Sequence, residues 1–461
     1  MADNRTLWAP QAWIDGRWQS SVLLDIDSQG RWDRIAAGIE EAPAHARKLA
    51  GPLLPGLVDA HSHAFQRAFI GLSERRESET DDFWSWRERM YRVALRITPQ
   101  QMRAIAAQLY VELLRGGYTQ VCEFHYLHHD LDGTAYADPT TMGWAIADAA
   151  QDAGIGLTLL PVLYQRAGFA QPQLRADQRR FAGSPALVHE FCRAMQASAR
   201  ANVNAGVAVH SLRAAGLPAI RELMDLVGDA PMPIHIHVAE QTAEVDDCLQ
   251  ATGRRPIDYL CAELAPDARW QLVHATHATA HEIDAVARSG AGIVICPATE
   301  GNLGDGLTDL ALWLNAGVPM AIGSDSHVVR NWPEELRWLE YGQRLVHRKR
   351  NVAAMPGQQA STAARLFDAA LSAGGAASGQ SAWGLVRGAR ADALVLDTTA
   401  PALRGIPASH HLDALVFGSG EPGLCEVIVA GRVAMQGGRH PDQDTIARNF
   451  EAAMQEIWRA D

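Results

Sequence analysis

Short apolar runs alternate with stretches of helical spacing along most of this chain. The runs occupy residues 54–63, 118–124, 156–163, 205–210, 233–238, 270–274, 292–296 and 319–325, each of strand length. Between them lie segments such as 102–114 closed by Gly116-Gly117, 186–201, and 220–227 closed by Gly228, whose apolar positions recur at helical spacing. Eight strands alternating with helices over roughly 250 residues or more predict an α/β fold, a (β/α)8 TIM barrel. A doubly wound open sheet is the competitor, but no G-x-G-x-x-G follows the first run. The barrel is the preferred reading.

The two ends have another texture. Residues 7–9, 12–14 and 21–26 read as short strands, with Asp15-Gly16 as a hairpin turn. Similar runs return only at 392–397, 414–417 and 425–433. So few strands at each end cannot bury a sheet face alone, and the ends are expected to pair into one small β-sandwich domain. The division is then 1–52 and 381–440 for the two parts of the β-domain, 53–380 for the barrel, and 441–461 for a C-terminal helix. In that helix Ile446, Phe450, Ala453, Met454 and Ile457 share a face, which docks on the barrel or on a second copy of the chain as a homodimer.

Composition narrows the function. With 461 residues, 48% of them hydrophobic, the chain buries a large core. A formal charge of -12 with no basic block argues against nucleic acid or an anionic membrane as partner. No apolar run approaches the ~20 residues of a membrane span, and no signal-like segment opens the chain, so a cytoplasmic protein is expected. Six cysteines without C-x-x-C spacing read as reduced thiols. Lys48 and Lys349 are the only lysines and neither lies near a motif, which argues against a catalytic lysine or a modified lysine bridging two metals.

The first barrel strand ends in His61-Ser62-His63. Side chains alternate along a strand, so the two imidazoles point the same way and can share a cation. Barrel active sites sit at the C-terminal ends of the strands. There the sequence places His210 after the fourth, His237 after the fifth, His274 after the sixth and Asp325 after the eighth. His61, His63, His237 and Asp325 offer three nitrogens and one oxygen, a set suited to one divalent transition metal, by default zinc, with water bound. His235 shares a strand face with His237, but His237 is nearer the strand end and is followed by Glu240. His235 is read as an inner-barrel residue. A closed, purely structural zinc shell would leave Glu240 and His274 without a role.

The stretch 55–63, His237-Val238-Ala239-Glu240, His274 and Gly323-Ser324-Asp325-Ser326, with the split β-ends, resemble the metal-dependent amidohydrolase superfamily, in its aminohydrolase branch of deaminases and chlorohydrolases. Within that branch, 64–69, 84–87, 123–128, 210–213 and 272–277 are similar to the formimidoylglutamate deiminase (formiminoglutamate iminohydrolase) family. The resemblance implies hydrolytic deimination of N-formimidoyl-L-glutamate, a step of histidine degradation. Guanine, adenosine-type or chlorotriazine rings are the alternative substrates of the branch, and Phe65, Trp84 and Trp86 suit such a ring.

Under that resemblance the metal activates water, Asp325 takes its proton, Glu240 protonates the leaving nitrogen, and His274 steadies the hydroxide or the new oxygen. The partner is a small dicarboxylate. Arginine's planar fork matches a carboxylate, so Arg213, beside His210, is the first choice for a clamp, with Tyr126 as hydroxyl donor. Arg87 and Gln66 would hold the second carboxylate, although Arg87-Glu88-Arg89 also reads as a solvated helix face.

Overall fold

A computed structural model describes residues 5–76, 82–418, 420 and 423–459. The eight middle runs form parallel strands, in order Leu57–Ser62, Tyr118–His125, Gly156–Leu163, Val207–Ser211, Ile234–Val238, Trp270–His274, Gly292–Ile295 and Met320–Ile322. Each pairs with the next in chain order. The short strand Val203–Ala205 leads into the fourth and pairs with the third. Closure comes from backbone. Ser62 bridges Asp325, the Asp325 N–H donates to the His61 carbonyl at 2.9 Å, and the His63 N–H donates to the Asp325 carbonyl at 3.4 Å. The eighth strand thereby meets the first and the sheet closes into the barrel that the alternation predicts.

Local chemistry starts and stops the flanking helices. Thr98 caps Pro99–Arg115 by accepting from the Gln101 N–H while the Gln101 side chain returns the bond, and Pro99 fills the first turn. Ser184 caps Pro185–Ala197, which ends four residues before the expected limit, and Leu217–Val227 ends at Gly228 as expected. Helix Thr362–Ala377 packs along the first and eighth strands, and its C-terminal end reaches the lower end of the barrel, where the Ala377 carbonyl lies 2.8 Å from His235 Nε2. His235 therefore serves the floor, and His237, two residues further on the same face, reaches the mouth.

The chain ends build one sheet from Thr6–Ile14, Arg17–Ile26, Trp32–Ala36, Arg47–Lys48, Leu53–Pro55, Ala393–Leu396, Leu424–Val429 and Arg432–Gln436. Asp15 and Gly16 both take left-handed φ, +50° and +71°, as a two-residue hairpin turn requires. The two ends pair directly, Leu53–Pro55 lying antiparallel to Ala393–Leu396. The sheet folds over a shared core of Leu7, Val22, Leu24, Trp32, Val395 and Ile428, and Arg31 bridges Arg390 across the fold. The expected sandwich thus takes the form of a single wrapped sheet.

Three details differ from the sequence reading. Leu53–Pro55 belongs to this sheet, so the β-domain runs past residue 52. Residues 414–417, expected as a strand, lie in helix His411–Gly418 with Leu412, Leu415 and Val416 buried; four apolar residues carry no period that separates the two states. The C-terminal helix Gln443–Trp458 buries Ile446, Ala453 and Ile457 against Pro99–Arg115 of its own chain, and Trp458 Nε1 donates to the Ala68 carbonyl. That apolar face is covered within the chain and gives no reason for a homodimer. Among the described residues no helix is long and apolar enough to cross a membrane.

The seam between the first and eighth strands leaves no room at Gly323, where an added Cβ would stand 2.6 Å from His61 Cβ and 2.9 Å from the His61 backbone N and O. Gly323→Ala is expected to cost about 1–3 kcal/mol or more by overpacking, and to weaken metal retention because His61 moves. Thermal unfolding and metal content of the purified variant check both; an unchanged midpoint with full metal refutes the tight seam.

Candidate metal centre and active site

The closure geometry delivers the side chains. Nε2 of His61 and of His63 lie 3.5 and 3.4 Å from Asp325 Oδ1, and His61 Nε2 is 3.0 Å from His237 Nε2. Donor atoms of His61, His63 and Asp325 lie within 4.8 Å of one another, as do those of His61, His237 and His274. The four residues expected to share a cation thus converge, with His274 at their side. All are buried.

The hydrogen bonds around these rings set their tautomers. His63 Nδ1–H donates to the Phe124 carbonyl and His237 Nδ1–H to the His210 carbonyl, both at 2.9 Å. Each ring therefore turns an Nε2 lone pair toward the centre. Burial lowers the pKa of His61 to about 3 and lowers those of His63 and His237, so the rings are neutral. Burial alone would raise Asp325, but its hydrogen bond with His61 together with its electrostatic interactions with His61, His274 and His63 outweighs that and keeps the carboxylate ionised. Neutral nitrogens facing one another at 3.0 Å beside a carboxylate repel unless a proton or a cation lies among them. The donor set fits a divalent transition metal.

Around this cluster stand two groups suited to proton transfer. His274 Nε2 is 3.7 Å from Glu240 Oε1 and 3.9 Å from Asp325 Oδ2, while its Nδ1 is 3.4 Å from Glu300 Oε1. Burial opposes charge on this ring, but Glu240, Glu300 and Asp325 together push its pKa up to about 10. Glu240 is itself raised to about 7 by burial, against the pull of His274. Glu244 fixes the turn that carries it, accepting from the Ala239 and Glu240 N–H groups at 3.2 and 3.0 Å. Left-handed φ values at Ala239, His274, Ala275 and Asp325 mark where the strand ends bend to aim these side chains.

A cleft opens from this centre, lined by Gln66, Trp86, Arg87, Tyr126, His210 and Arg213 together with the metal-facing residues. All five residues expected to bind substrate thus reach one cleft. Arg87 lies on helix Phe83–Ala94, and the solvated face that its neighbours suggest is not where it points; Arg87 and Arg213 are only 9% and 7% exposed. Their guanidinium groups lie 4.5 and 5.6 Å from the centre of the Trp84 ring. Neither forms an ion pair among the described residues, and Arg87 Nε and Nη1, Arg213 Nη1 and Gln66 Oε1 are buried without a hydrogen-bond partner. Buried N–H groups of this kind are costly unless something anionic meets them.

Sequence reasoning missed the polar ring beneath the centre. Asp59 accepts from the Ser324 N–H and hydroxyl at 2.8 and 2.5 Å, and His327 Nδ1 lies 2.9 Å from that hydroxyl. Glu123 accepts from the Ser62 hydroxyl, the Ala64 N–H and the Tyr110 hydroxyl. Asp59 was legible in principle, two residues before His61 on the same strand face. Glu300 sits in the short helix Pro297–Leu303 and His327 in the loop after the eighth strand, where no period points inward.

Residues 53–434 match the model of the amidohydrolase family. The chain is 44% identical to a formimidoylglutamate deiminase of Pseudomonas aeruginosa, over 98% of this chain and 99% of that protein. It is 27% identical to a 5-methylthioadenosine/S-adenosylhomocysteine deaminase of Halobacterium salinarum, over 90% of this chain and 88% of that one. Among solved structures, an amidohydrolase from Brucella melitensis is 41% identical, with a TM-score of 0.93 and coverage of 98% of this chain and 99% of that one. On a match spanning most of its length and relatives above 40% identity, the chain belongs to the amidohydrolase family.

Proposed function

We propose that this protein hydrolyses N-formimidoyl-L-glutamate to N-formyl-L-glutamate and ammonia, in the degradation of histidine. The observation that carries the reading is the pair of buried, unpaired guanidinium groups, Arg87 and Arg213, opening on the same cleft as the His/Asp cluster in a chain of net charge -12. A substrate with two carboxylates at one end and an amidine at the other satisfies both poles. The 44% identity to the Pseudomonas aeruginosa deiminase points the same way.

His61, His63, His237 and Asp325 would hold one divalent cation, zinc by the nature of the donors. Such a cation supplies hydroxide at neutral pH by lowering the pKa of water toward about 7. Asp325, ionised and at the edge of the cluster, accepts the proton lost by the attacking water. Glu240, with a pKa near 7, delivers a proton to the amidine nitrogen so that ammonia leaves. His274, held cationic by its carboxylate neighbours, steadies the oxygen that forms on the amidine carbon. Arg213 and Arg87 hold the two carboxylates, with Tyr126 and Gln66 as further hydrogen-bonding groups and His210 lining the cleft beside Arg213.

Ammonia release measured in parallel on formimidoylglutamate, guanine, adenosine and a chlorotriazine tests the reading. Turnover is expected on formimidoylglutamate alone, lost on chelation and restored by zinc; turnover on a ring substrate instead overturns it. Arg213→Ala should raise KM about 10- to 100-fold with metal content intact, the worth of a charge-assisted hydrogen bond of about 1.5–3 kcal/mol. An unchanged KM removes Arg213 from the clamp. Glu240→Gln should retain its metal and lose about 10²- to 10⁴-fold in kcat, because an amide cannot deliver the proton. Loss of metal instead would make Glu240 a ligand.

A further inference from the structure

Three adjacent barrel strands, the sixth, seventh and eighth, each end in one potential metal donor: His274, Cys296 and Asp325. A ring nitrogen of His274, the Cys296 sulfur and a carboxylate oxygen of Asp325 lie within 4.8 Å of one another, and all three residues are buried. Proposed catalysis gives Cys296 no task. Its thiol is fully buried at the entry to helix Pro297–Leu303, and it forms no disulfide.

We propose that His274, Cys296 and Asp325 form a second cation site, selective for soft divalent metals such as zinc or cadmium, that shares Asp325 with the resident site. The carboxylate has the geometry to bridge. Its Oδ1 faces His61 and His63 at 3.5 and 3.4 Å, while its Oδ2 faces His274 at 3.9 Å. A sulfur, an imidazole nitrogen and an oxygen together favour zinc and cadmium over magnesium or manganese. Zinc bonds of about 2.0–2.3 Å require the three donors to draw together by about 1 Å, within the reach of small side-chain rotations.

The surroundings favour a further positive charge. Glu240 and Glu300 approach His274 at 3.7 and 3.4 Å, and Asp305, whose carboxyl is pushed up by burial and by the charges of Glu240 and Glu300, keeps a buried Oδ2 without a hydrogen-bond partner. His274 and, from further off, Arg213 are the cationic side chains that act on Glu240. On binding, the thiol gives up its proton to solvent and the His274 ring binds as the neutral base, so a dication replaces two protons. Excess metal would then occupy His274 and the free oxygen of Asp325 and inhibit turnover. The inhibition rests on the proposed deimination, whereas the binding does not.

The test is a cadmium titration of protein carrying one equivalent of zinc, followed by metal content after equilibrium dialysis and by the ultraviolet thiolate-to-cadmium charge-transfer band. One additional equivalent should bind with that band. Cys296→Ser and Cys296→Ala should keep the first equivalent and ammonia release, lose the band, and bind the second equivalent about a hundredfold more weakly. No additional equivalent, binding without the band, or a band that survives in both variants overturns the site. Binding and band without inhibition would uphold the site and count against the catalytic role given to His274.

Discussion

The closing of the barrel is the constraint on which the rest of this molecule depends. The eighth strand is only Met320–Ile322, and the bonds that complete the cylinder are made just beyond it, by the backbone of Asp325 with His61 and His63. The same few atoms that remove the sheet's open edge also bring the carboxylate to the two imidazoles. Register at this seam is therefore register of the metal site, since a slip by one residue would turn the side chains to the other face. Gly323 permits the close approach, and Asp59, Ser324 and His327 tie the two strand ends together from below.

Above that seam the site has two electrostatic poles. One gathers Asp325, Glu240 and Glu300 around His274, the other offers Arg87 and Arg213, both against the ring of Trp84. Under the proposed function, a ligand with a cationic amidine and two carboxylates would align along that axis, each end meeting the opposite sign. Buried charges are costly unless compensated, and under the proposed function the unpartnered guanidinium atoms of Arg87 and Arg213 would gain their partners from the substrate. Orientation and discrimination come from the same arrangement, because a neutral ring would leave the guanidinium groups unpaired.

Much of this was legible in the chain. Alternation alone put His61 and His63 on one face, and the fold rule that functional groups gather at strand ends picked His237 and Asp325 out of eighteen histidines and many acids. Choosing His237 over His235 rested on its position along the strand and on Glu240 following it, and the floor contact of His235 with Ala377 agrees with the choice. What the sequence hid was contact between segments with no period of their own. Glu244 looks like one more acid in a first helical turn yet pins the loop that carries Glu240. Arg87 sits in a run of alternating charge that reads as surface, and only the packing of its helix over the barrel mouth turns it inward. The run 414–417 was too short to reveal its state, and tertiary packing made it a helix.

The two poles come from different parts of the architecture. His61, His63, His237, His274 and Asp325 are set by strand ends, where neighbouring strands over-determine every position and tolerate left-handed φ at His274 and Asp325. Arg87, Gln66, Tyr126 and Arg213 are carried by the segments after the first, second and fourth strands, which change without disturbing the cylinder. Under the proposed function the bond-breaking chemistry belongs to the strand ends and to the pinned turn that carries Glu240, and the choice of what is broken belongs to the longer loops, so substitutions in the two sets should fail differently: those in the first through loss of the cation or of kcat, those in the second through KM.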